Sequence, residues 1–147
     1  MNGKFGEVGY DERQTAVRGR AFKWGYVTLL AGLIVYCITD GIWSWCVPLT
    51  GCAAAMSFSL IVVCCICIDG DAYWWMDAGR AGQYVVCAVI GLANLGLALL
   101  AGLEGDLFVD GRLQEPGANL ALGCVFVSVF VAAAVKRLQD REAGEQE

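Results

Sequence analysis

PLTGCAAAMSFSLIVVCCICI, residues 48–68, is a run of 21 residues without a single charge. A hydrocarbon core of about 30 Å takes ~20 apolar residues in a helix, and this run supplies that length. Pro48 stands where a helix begins without losing a needed N–H. The three residues that follow the run, Asp69-Gly70-Asp71, stop it. The residue types fit a helix packed against other helices in lipid, because Gly51, Ala55 and Ser59 recur every fourth position and lie along one face. Small side chains at that spacing let two helix backbones approach closely.

Three more stretches of the same kind flank this one, at 21–39, 81–103 and 118–135. Asp40-Gly41 is expected to close the first, Glu104-Gly105-Asp106 to stop the third, Pro116-Gly117 to open the fourth and Lys136-Arg137 to end it. The connections are short, so neighbours should run antiparallel. The fold expected is all-α, an integral membrane four-helix up-down bundle. It forms one domain over residues 1–147, with tails 1–20 and 136–147. Composition agrees: 58% of the 147 residues are hydrophobic and 17% charged, where a soluble domain carries about a quarter charged. The first twenty residues are polar, and Arg18, Arg20 and Lys23 lead into an apolar run too long for a signal sequence, so no cleavable leader is expected.

Basic residues orient the bundle. Lys4, Arg13, Arg18, Arg20, Lys23, Arg80, Lys136, Arg137 and Arg141 fall on one side, and only Arg112 on the other. The side rich in lysine and arginine is the cytoplasmic one, which places both termini inside. Trp24, Tyr26, Tyr73, Trp74 and Trp75 gather at one boundary and Trp43 and Trp45 at the other, as half-wet aromatic rings do.

The chain has no histidine, the commonest general base and metal ligand. Of its eight cysteines, Cys64-Cys65-Ile66-Cys67 contains a CxxC. A thiol–disulfide enzyme needs an accessible thiolate of lowered pKa. Burial in hydrocarbon works against that, and the nearest charges along the chain are Asp69 and Asp71, so packing is the simpler role. Cys37, Cys46 and Cys52 lie near the outer face, where a disulfide could form, but spacing selects no pair. No span carries an ionisable residue of the kind that marks a proton or ion path. Its one strongly polar residue is Asn94, which shares a face of the third helix with Gly91, Ala98 and Gly102. That face, like Gly51, Ala55 and Ser59 on the second helix, reads as a packing seam, with the Asn94 amide bonding across it. In the outer loop, Asp110-Gly111 between apolar residues is a hairpin signal.

The residues Tyr10-Asp11-Glu12-Arg13-Gln14, then Arg18-Gly19 and Tyr26-Val27-Thr28-Leu29-Leu30, carry a family resemblance. The chain resembles a family of uncharacterised bacterial four-span membrane proteins in which a YDERQ…RG motif precedes the first helix. The resemblance extends through Asp71-Ala72-Tyr73, the Asn94 region and the outer loop with its glycine turn. It implies a multi-pass protein of the bacterial cytoplasmic membrane and carries no activity with it.

Physically, Asp11 suits an N-cap with Gln14 at the capping-box position, and the helix would run on into the first span. Asp11, Glu12, Arg13, Gln14 and Arg18 mix both charge signs in under two turns. Anionic headgroups repel carboxylates, so this mixture fits a protein contact better than a lipid anchor. The contact would be the 69–80 loop of the same chain, a cytoplasmic protein or another copy. The expected function is therefore non-enzymatic interaction or regulation at the bilayer, without cofactor, metal or nucleic acid. Two other readings remain open: a small oligomeric channel or transporter lined by serine, threonine and Asn94, and a membrane thiol–disulfide protein.

Overall fold

The computed structural model describes residues 12–72 and 80–144. It is built from α1 (Glu12–Trp43), α2 (Pro48–Asp69), α3 (Arg80–Glu104), strands β1 (Phe108–Val109) and β2 (Arg112–Leu113), and α4 (Pro116–Gly144). All four helices contain a stretch long and apolar enough to cross a membrane. Two helix ends differ from expectation. The first helix passes Asp40-Gly41 and continues to Trp43, where Ser44 turns left-handed (φ +46°) and returns its N–H to Asp40 O at 2.7 Å. The fourth continues two turns beyond Lys136-Arg137. A glycine within a hydrogen-bonded ladder costs about 1 kcal/mol and does not end it. Lysine and arginine are good helix formers, so they mark where apolar sequence stops and not where the helix stops.

The stops at the other boundaries fall where the sequence suggests. Gly105 (φ +86°) takes the left-handed position after α3, and the Asp106 N–H bonds Ala101 O at 2.8 Å, a glycine C-cap. After α2 the left-handed residue is Asp71 (φ +54°), with the Ala72 N–H on Cys67 O at 2.8 Å. Asp110 (φ +51°) and Gly111 (φ +76°) form the hairpin turn, and Val109 pairs with Arg112. Positive φ at both central residues is the type I′ arrangement.

The helices pack in the order α1–α2–α4–α3, and these three pairs are the only ones that pack along their lengths among the described residues. The α2 and α3 helices follow one another in sequence yet are not partners, which corrects the simple up-down bundle. Instead α2 and α4 run parallel. Thr50 at the start of α2 bonds Gln114 just ahead of α4, and Ile68 at the end of α2 packs with Val125, Val129 and Ala133 far along α4. Burial follows that order. In the apolar windows, 28% of residues are buried in α2 and 22% in α4, but 6% in α1 and 11% in α3. The middle pair forms the protein core, and the two outer helices present most of their surface outward.

Each seam has its own chemistry. Between α1 and α2, Gly32 lies against Ala55, Tyr36 against Gly51 and Gly25 against Val63. The Ser59 hydroxyl donates to Gly25 O at 2.7 Å. Between α3 and α4, Gly91 abuts Phe126 and Gly123 abuts Leu95. Small residues at these positions let the backbones approach closely, which increases dispersion contact along each seam.

Candidate functional site

Two polar regions stand at opposite ends of the helices. At the hairpin end, β2 extends onto the segment between α1 and α2. The Leu113 N–H donates to Trp45 O at 2.8 Å and the Val47 N–H to Leu113 O at 2.9 Å, a parallel bridge beside Cys46. Thr50 Oγ1 donates to Gln114 O at 2.7 Å, and Trp45 Nε1 to Thr39 Oγ1 at 3.0 Å. The rings of Tyr36 and Trp45 meet edge to face at 6.3 Å. Cys46 is fully buried under this lid, with its N–H on Asp40 Oδ1 at 3.5 Å. Burial and the Asp40 carboxylate push its thiol above the ordinary range, with Arg112 partly opposing them. A thiol held in that way is a poor nucleophile. Cys37 and Cys52, like every cysteine here, are free thiols.

At the other end, α1 begins, α2 turns and α4 finishes. Gln14 Nε2 donates to Asp71 O at 3.1 Å, and Val17 packs onto Gly70. Lys136 Nζ donates to Asp69 O at 3.3 Å and stands 3.7 Å from carboxylate oxygens of both Asp71 and Asp140. The left-handed corner at Asp71 turns its backbone carbonyl toward α1 while its side chain reaches α4. One residue thereby ties three helices. Gln14, Val17, Arg18 and Ala21 form the inward face of the α1 extension, and Glu12 and Arg13 are exposed, Arg13 at the flank of that face. Gln14 thus spends its amide nitrogen on the Asp71 corner, and its Oε1 is buried without a partner among the described residues. Asp11 lies outside the described residues. Arg18 is half-buried and within electrostatic reach of Cys67. The CxxC region therefore does have a cation nearby, which a reading along the chain alone misses.

The residues expected to pack divide between two seams. Gly51, Ala55 and Ser59 all face α1. On α3, Gly91 meets α4 and Ala98 is buried, whereas a β-carbon at Gly102 would meet Leu107 beside the hairpin and no α4 residue among the described ones. The Asn94 amide differs from expectation: Nδ2 donates to Ile90 O of its own helix at 2.9 Å, and among the described residues no Asn94 bond crosses the seam. Intrahelical return to the carbonyl one turn back is the usual alternative for a short polar side chain in an apolar setting. Thr28 and Thr39 likewise bond carbonyls of α1. Thr50 and Ser59 instead bond carbonyls of other segments. Ser57, buried in α2, has a hydroxyl without a partner among the described residues, as has the Gln14 Oε1.

Sequence reading alone did not identify the tie between Asp71 and Lys136. Its signal was present: Asp69-Gly70-Asp71 and Lys136 both bound apolar spans at the same end, one acidic and one basic. No group of three or more cysteine or acidic residues among the described ones is placed to hold a metal ion. Comparison with protein-family models, with curated proteins and with solved structures yields no match for this chain.

Proposed function

We propose that this chain is a multi-pass protein of the bacterial cytoplasmic membrane, with both termini inside, that works by binding a protein partner and not by catalysis. The orientation rests on nine of the ten lysines and arginines lying at one side, the bias that sets topology. The YDERQ…RG resemblance agrees with that membrane.

The interaction reading rests on one observation. Glu12 and Arg13 are exposed on a helix that is fixed to the Asp71 corner through Gln14 and Val17. A mixed-charge surface held on a rigid support loses little entropy on binding. Exposed ion pairs contribute only ~0–1 kcal/mol each, so several must act together to specify a partner. Asp140 and Asp71 also stand at this end of the helices, with side chains 60% and 62% exposed.

The test is a triple Asp11→Ala, Glu12→Ala, Arg13→Ala variant, examined by reporter fusions for topology and by in-cell crosslinking for partners. Insertion with internal termini should persist while a crosslinked species disappears. If every crosslinked species survives unchanged, the segment only anchors topology and the interaction reading fails.

A further inference from the structure

We infer that the end of α4 holds the headgroup of an anionic phospholipid, with Arg137 and Arg141 as its phosphate ligands. This rests on the membrane reading above. The three basic residues near the end of α4 are not equivalent. Lys136 is neutralised by Asp71 and Asp140 of its own chain. Arg137 and Arg141 are exposed, and neither has an acidic partner among the described residues. They are one helical turn apart on one face, where like charges repel unless an anion lies between them.

The same face carries a cavity of about 470 Å³ lined by Phe130, Ala133, Ala134, Arg137, Leu138 and Arg141. Its composition changes along the helix. Phe130, Ala133 and Ala134 lie within the apolar stretch and the two guanidiniums beyond it. An acyl chain fits the first part and a phosphate the second. Arginine suits the phosphate because its planar fork donates two parallel hydrogen bonds. A soluble anion would use the arginines but leave the apolar part of the groove empty, so a lipid is the occupant that matches both. Basic pockets at the cytoplasmic membrane boundary bind anionic headgroups by this chemistry.

The experiment uses the full chain in detergent, incubated with equal phosphatidylglycerol and phosphatidylcholine, with retained lipid counted by native mass spectrometry. The native chain should favour phosphatidylglycerol, and R137Q/R141Q should cut that preference by about thirtyfold, the attraction of two basic residues. R20Q/K23Q removes two exposed basic charges at the same boundary and should leave the preference unchanged. R137K/R141K keeps the charge without the fork and should fall between the native chain and R137Q/R141Q. The proposal is overturned if R137Q/R141Q keeps the preference while eluting as a monodisperse species. It is overturned too if R20Q/K23Q abolishes the preference equally, since the attraction would then be diffuse. Displacement of the lipid by millimolar glycerol phosphate would assign the arginines to a free phosphate ligand instead. Alkaline carbonate extraction separates the two readings: release of the chain from membranes defeats the membrane assignment, whereas loss of lipid preference alone defeats only the headgroup site.

Discussion

Tyr36 fills the space that a β-carbon at Gly51 would need, so an aromatic ring of α1 rests directly on the backbone of α2. The ring also meets Trp45 edge to face, so displacing it would disturb the hairpin end. Gly51→Ala should therefore destabilise the α1–α2 seam by about 1–3 kcal/mol, the usual cost of overpacking. In a Tyr36→Ala background the same change should cost close to nothing. Unfolding in mixed micelles, read as a double-mutant cycle, measures the coupling. Equal costs in both backgrounds would show that the ring does not sit on Gly51.

Asn94→Leu should change stability by less than about 0.5 kcal/mol, since the amide serves its own helix at Ile90 O. Interhelical polar bonds in membrane proteins average ~0.6 kcal/mol and reach ~1.7. Thermal unfolding in detergent distinguishes the cases. A loss near the top of that range would demand a partner on another helix.

How much of this architecture is legible in the sequence depends on which residues carry it. Uncharged runs bounded by Asp69-Gly70-Asp71, Glu104-Gly105-Asp106 and Pro116-Gly117 locate three helix boundaries well, because the first two combine charges with a turn residue and the third places a proline in the first turn of a helix. Asp40-Gly41 and Lys136-Arg137 mislead, because they end the apolar segment and not the hydrogen-bond ladder. The packing order is hidden for a different reason. Gly51, Ala55 and Ser59 announce a seam, but nothing in their spacing says that α1 occupies it or that α4 takes α2's other side. That order depends on contacts remote in sequence, such as Thr50 with Gln114 and Lys136 with Asp71. The mixed charge of Glu12 to Arg18 was visible from the start, whereas its division into an inward and an outward face required knowing where residue 71 lies.

Gly111→Val should detach the hairpin. Residue 111 has φ +76°, where a β-branched side chain costs at least ~1–2 kcal/mol. Because Leu113 is bonded to Trp45 and Val47, the strain should also loosen the 44–47 segment. Faster cleavage by an added protease near residue 110 in proteoliposomes would register it, while Asp110→Gly should resist cleavage as the native chain does. Identical cleavage of native and Gly111→Val chains would contradict the turn.

Cys46 should titrate late. Burial and the Asp40 carboxylate raise its thiol, so the folded chain binds this proton more tightly than the unfolded one. The corresponding stability is full below the ordinary thiol value of ~8.5 and falls as pH rises through it. In a variant whose only cysteine is Cys46, alkylation by a small charged reagent should have a higher pH midpoint than in the detergent-unfolded chain. Asp40→Asn should bring the midpoint down. A folded midpoint at or below the unfolded one would remove the thiol from its buried setting.

The open order α1–α2–α4–α3 makes a prediction about which helices can be joined. Gly32 and Ala55 are close enough that a β-carbon at 32 lies 3.3 Å from that of Ala55, and a β-carbon at 91 lies 3.0 Å from that of Phe126. Disulfides need β-carbons about 3.5–4.5 Å apart, a distance reached from either pair by a small backbone adjustment. In a chain stripped of its native cysteines, Gly32→Cys with Ala55→Cys and Gly91→Cys with Phe126→Cys should each oxidise to an intramolecular bond in native membranes. Cysteines placed on α1 between 26 and 39 and on α3 between 87 and 100 should not, whatever the pair. These two helices sit at opposite edges of the row and bury the least surface. On the proposed membrane reading, the edges are where lipid, or another chain, has access. Efficient short-range crosslinking of α1 to α3 within one monomer would close the row into a ring and take that access away.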